Sequence, residues 1–201
     1  REFTDAQTFA EWGIDFLKYD YCYKPVTRRG ETAYRAMSLA LANSGRDILF
    51  SACNWGADSS HAWIRSTGAD VWRSTGDIKD NWISIKNLIT QQFSILPYGG
   101  KGCFNDMDML VVGMNGKGNV GLGGCSAEEY ATHFNAWCML QSPLFIGCDV
   151  RNTDEFTLNL LKNRELISIA QDEKCAQTFR ADMQDIDKSE APSVFGLARF
   201  L

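Results

Sequence analysis

Three aspartates close short apolar runs: Asp20 ends "IDFLKYD", Asp77 ends "DVWRSTGD" and Asp108 ends "CFNDMD". Two carboxylates brought together can divide the labour of a hydrolysis, one attacking as the ionised nucleophile and the other donating a proton. A separation of about 5 to 5.5 Å suits a glycoside cleavage that retains configuration. An aspartate at a strand end also commonly caps the following helix or turn, so one such residue would have a purely structural explanation. Three of them, with Lys18 and Arg73 on the same strand ends, point to chemistry. Lys18 stands two positions before Asp20, and the period of two in a strand puts both side chains on one face. A cation there favours the charged form of one carboxylate, and two identical side chains can take different roles only if their environments differ.

Elements must hold these residues on one side of the molecule. Five apolar runs recur, ending at Asp20, Asn54, Asp77, Asp108 and Asp149, with a spacing that scatters around the ~30 residues of a βαβ unit. Helical patterns lie between them. Thr32 to Asn43 is rich in helix formers, with Gly45 as its stop; Trp82, Ile85, Leu88, Ile89, Phe93 and Leu96 repeat with helical period before Pro97. "SAEE" at 126–129 is a capping-box pattern, and Thr153 precedes Asp154 and Glu155, which suit the positive end of a helix. The alternation predicts an α/β fold, and the continuously apolar runs predict parallel strands buried on both faces. An open doubly wound sheet would be complete in this length, whereas a (β/α)8 TIM barrel takes about 250 residues, so five units would be a piece of one. A first residue that is Arg1 and not Met favours the piece. In both architectures, loops at the carboxyl ends of the strands build the site.

Composition bounds the partners. The 201 residues are 45% hydrophobic and 12% aromatic, ample for a packed core. A net charge of −5, with Arg28-Arg29 as the only basic doublet, offers no field for nucleic acid. No run reaches the ~18 apolar residues of a membrane span, so no membrane partner is expected. Seven cysteines form no C-x-x-C, and His61 and His133 lack zinc-ligand spacing. No metal and no cofactor are therefore expected, and most of the cysteines read as core thiols. "GKGNVG" at 116–121 matches a dinucleotide fingerprint literally, but "LGGC" separates it from the next helix cap, so it reads as a glycine-rich loop bordering the site. Nothing here sets oligomeric state or location.

"FLKYDYCY", "SACNWG", "WRSTGDIKDNW" and "FNDMDMLVVG", in that order, resemble the glycoside hydrolase family of α-galactosidases and α-N-acetylgalactosaminidases, the melibiases; "QSPLFIGCDVRN" and "LISIAQD" extend the resemblance over residues 6–172. The resemblance implies a partial (β/α)8 catalytic domain over residues 1–180, holding strands four to eight, and the start of a carboxyl-terminal β domain over 181–201. It implies Asp20 as nucleophile in the K-[YF]-D motif and Asp77 as general acid/base in W-R-x-x-x-D. Lys18 and Arg73 would bond sugar hydroxyls, Asp108 and Met109 would line the pocket, and Asn54 with Trp55 would read the sugar's 2-substituent. The implied partner is an α-galactoside, cleaved through a covalent glycosyl-enzyme, with these residues inactive alone. An α-N-acetylgalactosaminidase, a β-L-arabinopyranosidase or a non-catalytic galactose-binding unit are the alternatives. Asn54, where N-acetylgalactosaminidases carry small residues, favours a free 2-hydroxyl. Three positions depart from the family pattern: Phe104 replaces a frequent Trp, Met107 replaces a frequent Pro, and Cys22 matches a half-cystine whose partner lies outside this sequence.

Overall fold

The computed structural model describes residues 1–23, 27–181 and 196–199. The chain divides into two units, Arg1–Asp77 with Lys101–Asp106, and Ile78–Gly100 with Met107–Leu201.

The first unit is an α/β body around a four-stranded parallel sheet. Its strands are β1 (Phe16–Asp20), β2 (Leu49–Cys53), β3 (Val71–Arg73) and β4 (Phe104–Asp106), in spatial order β1-β2-β3-β4. The order follows the sequence and never reverses, unlike that of a doubly wound sheet. Helix α1 (Glu2–Glu11) packs on α2 (Gly30–Ala42), and α2 buries Tyr34, Met37 and Leu41. The Tyr34 ring meets Tyr19, Phe50 and Trp63, each with centroids 6.3 Å away, so this aromatic cluster joins the helix to one face of the sheet.

Burial on both faces holds for β3 and for all of β2 except Leu49. It fails for β1, where Phe16, Lys18 and Asp20 are exposed on alternate positions. The reason is position: among the described residues β1 pairs with β2 alone, as an edge strand with one open face. Beyond β2 the chain turns tightly. Gly56 has φ 78°, and a Cβ there would run into the Ser74 carbonyl oxygen, so only glycine lets this loop lie against the end of β3.

The second unit is helical. Helices α3 (Trp82–Gln92), α4 (Ala127–Met139), α5 (Glu155–Leu161) and α6 (Arg164–Ala170) surround a core that includes Ile85, Ile89, Val111, Phe134 and Trp137. The local signals account for the boundaries. The Ser126 hydroxyl and the Glu129 carboxylate form the expected capping box on α4. Helix α5 is capped one residue later than Thr153, by Asp154, whose carboxylate accepts from the Thr157 N–H at 2.7 Å. Helix α3 stops at Gln92, before Leu96, and the chain makes a short 3-10 turn through Pro97.

The fifth apolar run, "PLFIGCD", makes only a single parallel bridge, Ile146 with Leu110. Asp108 has φ 91°, which turns the chain out of strand conformation between β4 and Leu110, so no ladder is available for the run to join. An antiparallel pair of strands, β5 (Phe179–Ala181) and β6 (Gly196–Ala198), follows. The buried Arg199 ties it to α6 and the turn after it by donating to the Ile169 carbonyl at 2.9 Å and the Asp172 carboxylate at 2.7 Å. Of the expected second domain at 181–201, only Ala181 and residues 196–199 are described; the rest lies outside the described residues. Among the described residues no helix is long and apolar enough to cross a membrane.

Candidate active site

The sheet register builds one row across the carboxyl ends of its strands: Asp20 pairs with Cys53, Cys53 with Arg73, and Arg73 with Asp106. One row below, Lys18 pairs with Ser51. Lys18 Nζ lies 3.5 Å from Asp20 Oδ1, which confirms that the two side chains share a face, and both are about half exposed. Arg73 is the opposite case. Its side chain is only 2% exposed, while that of Asp77, whose Oδ1 accepts from Arg73 Nη2 at 3.1 Å, is 73% exposed. The same nitrogen donates to the carbonyls of Thr75 and Gly76. The buried guanidinium thus shapes the 74–77 loop and holds a solvent-facing carboxylate at its tip. Each carboxylate has its own cation, one exposed and jointed, the other fixed in the core.

Asn54 and Trp55 occupy the turn after β2. Asn54 is buried, and its Nδ2 donates to the Ala57 carbonyl at 2.7 Å, closing the turn. Trp55, at φ 55°, is held in left-handed backbone and is 37% exposed. Such a conformation costs a non-glycine residue on the order of 1 kcal/mol, and it presents a large aromatic surface beside the row.

Asp108 and Met109 belong to the second unit. Asp108 Oδ2 accepts from the Ile78 N–H at 2.9 Å and Oδ1 from the Met109 N–H at 2.8 Å, while Trp137 Nε1 donates to its carbonyl at 2.7 Å. Met109 packs on Gly147, where a Cβ would stand 2.7 Å from the Met109 sulfur. Met107 uses the N–H that a proline would lack, donating to the Ser142 hydroxyl at 2.9 Å.

Two residues that the sequence reading passed over organise this region. Asp80 is fully buried; its carboxylate accepts from the Gly116 N–H and the Tyr130 hydroxyl, each at 2.8 Å, and its carbonyl accepts from the Gly124 N–H at 3.1 Å. The glycine-rich loop is therefore wrapped around a protein carboxylate. Burial, with Asp80 as hydrogen-bond partner, pushes the Tyr130 phenol above its ordinary range. A weak signal existed, since Asp80 stands in "DIKDNW" directly before a helix start, but nothing in the sequence distinguishes it from a helix-capping residue. The other residue is Cys53. Its place between Asp20 and Arg73 depends on strand register, which the sequence does not display.

His133 is fully buried and accepts the Val111 N–H at Nε2; desolvation pushes it down to about 3, so it is a neutral acceptor near pH 7. Cys53, Cys103 and Cys138 are buried, with burial raising their thiols to about 12, 11 and 12. Cys22 is an exposed free thiol and not a core residue. Among the described residues no group of three or more His, Cys, Asp or Glu side chains is placed to hold a metal ion.

A family model described as Alpha galactosidase A matches residues 2–172. Alpha-galactosidase 2 of Arabidopsis thaliana is 46% identical over 168 residues, covering 84% of this chain and 40% of that protein. The solved structure of the Saccharomyces cerevisiae α-galactosidase with raffinose superposes with a TM-score of 0.73 at 30% identity, covering 94% of this chain and 46% of that one. A β-L-arabinopyranosidase from Geobacillus stearothermophilus superposes with a TM-score of 0.74 at 28% identity, over 84% of this chain and 40% of that one. The chain spans about two fifths of the length of the curated relatives it matches first.

Proposed function

The chain belongs to the alpha galactosidase A family, the melibiases, and on that premise we propose that it supplies the fourth to eighth units of a (β/α)8 catalytic barrel that hydrolyses terminal α-galactosides with retention. The observation that carries this reading is a pair of carboxylates, Asp20 at the end of β1 with Lys18 and Asp77 in the loop after β3 with Arg73, each matched to a different cation. The sequential, unreversed strand order suits a barrel segment better than a doubly wound sheet.

In this mechanism Asp20 attacks the anomeric carbon from the β face while the Asp77 carboxyl group protonates the departing glycosidic oxygen, leaving a β-galactosyl ester on Asp20. The Asp77 carboxylate then takes a proton from water, which attacks from the α face and releases Asp20 and α-galactose. Lys18, 3.5 Å from Asp20 Oδ1, steadies the nucleophile's carboxylate. Arg73 keeps the acid/base loop in place, so the proton donor meets the leaving group without a search. Within the first unit, Trp55 is proposed to line the sugar site, with Lys18 and Arg73 offering donors to its hydroxyls. The buried Asn54 amide, engaged with Ala57, fills volume that a 2-acetamido group would need and thus favours a free 2-hydroxyl.

The test is proton NMR of the complete protein carrying these residues, acting on p-nitrophenyl α-galactoside and on the matching α-N-acetylgalactosaminide. The galactoside should be the better substrate, and α-galactose should appear first, before mutarotation. First-formed β-galactose would contradict the retaining mechanism, and faster turnover of the acetamido sugar would contradict the reading of Asn54.

A further inference from the structure

Cys53 stands in the strand-end row between Asp20 and Arg73, and no role has yet been given to it. It is completely buried, although its register partner Asp20 is about half exposed and its other neighbour, Arg73, is a buried cation. Paired residues of a parallel sheet project to the same face, so the thiol lies between the carboxylate and the guanidinium. Ser51, one row below, has its hydroxyl buried with no hydrogen-bond partner, so it does not serve Asp20. We propose that the Cys53 thiol is a positioning residue for the nucleophile: it donates a hydrogen bond to the Asp20 carboxylate and, with Lys18 at Oδ1, fixes the direction in which that carboxylate faces the anomeric carbon. This inference rests on the reading of Asp20 as nucleophile.

The chemistry of the site requires the thiol and not the thiolate. Burial first, and then the neighbouring Asp20 carboxylate, push Cys53 up to about 12, against the smaller opposing influence of Arg73 and Lys18. The S–H is therefore intact across the working range of a glycosidase and available as a donor. A thiolate would place a second anion beside Asp20. A donor from the protein interior also differs from water in that it cannot be displaced when the sugar enters, so the carboxylate is oriented alike before and during attack.

The competing explanation is that Cys53 is a small apolar filler, and the two explanations order the variants oppositely. In the complete protein, Cys53→Ala removes the donor and should lower kcat about 3- to 10-fold with KM little changed, as expected for loss of one modest hydrogen bond to a charged group. Cys53→Ser restores a donor and should recover most of that loss. A filler role predicts the reverse, because serine is the worse guest in an apolar slot. Alanine equal to or better than serine would overturn the proposal. If neither variant folds, the S–H stretching band decides: in Asp20→Ala, a change at an exposed side chain, one thiol band should move to higher frequency than in the unchanged protein. An unmoved band overturns the hydrogen bond. Asp20→Ala that still hydrolyses galactosides at the unchanged rate would instead defeat the nucleophile reading, an outcome separate from the band.

Discussion

His133 shows how burial fixes the state of a single residue. Its ring is fully buried on α4, accepts the Val111 N–H and is held neutral, with protonation pushed down to about 3. An unfolded histidine protonates near 6.5, so below that pH the unfolded chain binds a proton that the folded one refuses. Stability from this site is therefore full above about pH 6.5 and falls with decreasing pH toward 3, by up to about 1.4 kcal/mol per unit. His133→Gln keeps an acceptor and removes the titration. Urea unfolding of this chain at pH 7 and pH 5 should show the original losing roughly 2 kcal/mol more than the variant; parallel losses would contradict the neutral assignment. At this scale the sequence was readable where one residue carries its own signal. Asp20, Asp77 and Asp108 stand out because each ends an apolar run, and Lys18 because strand period ties it to Asp20. Cys53 and Asp80 were not readable, since their meaning lies in partners 33 and 36 residues away.

Elements with local signals were the legible ones. Helices α2, α3 and α4 follow from apolar period and caps, and the Ser126–Glu129 box appears where its four letters place it. The fifth strand was misread because a strand needs a neighbour's ladder, and the left-handed Asp108 removes it. β1 was misread in burial for the same reason, as an edge has no second neighbour. The glycine-rich loop gives the element-scale prediction. Asp80→Ala would leave the Gly116 N–H and the Tyr130 hydroxyl without the acceptors they now share. Orphaning one buried and one part-buried donor costs about 2 to 4 kcal/mol, a loss that denaturant unfolding measures. Asp80→Asn, which keeps an oxygen for Tyr130, should lose less. A loss below about 0.5 kcal/mol in the alanine variant would mean that the loop does not depend on this carboxylate.

For the whole molecule, family membership was legible because the four motifs come in family order, and the matched segment, residues 2–172, agrees with the extent of those motifs. The α/β class and parallel sheet were legible from alternating runs and helices. The division into two units was not, because Lys101–Asp106 joins the first unit from a distant part of the sequence. In the complete protein, Asp20 is proposed to form the glycosyl-enzyme and Asp77 to move the protons. Azide rescue with p-nitrophenyl α-galactoside tests it most directly. In Asp20→Ala, azide can occupy the space of the lost carboxylate and should give the inverted β-galactosyl azide. In Asp77→Ala the glycosyl-enzyme still forms from a substrate whose leaving group needs no acid, and azide should attack it to give the retained α-azide. The opposite pairing of product with variant would reverse the two roles, and unchanged hydrolysis of natural α-galactosides by both variants would contradict the account.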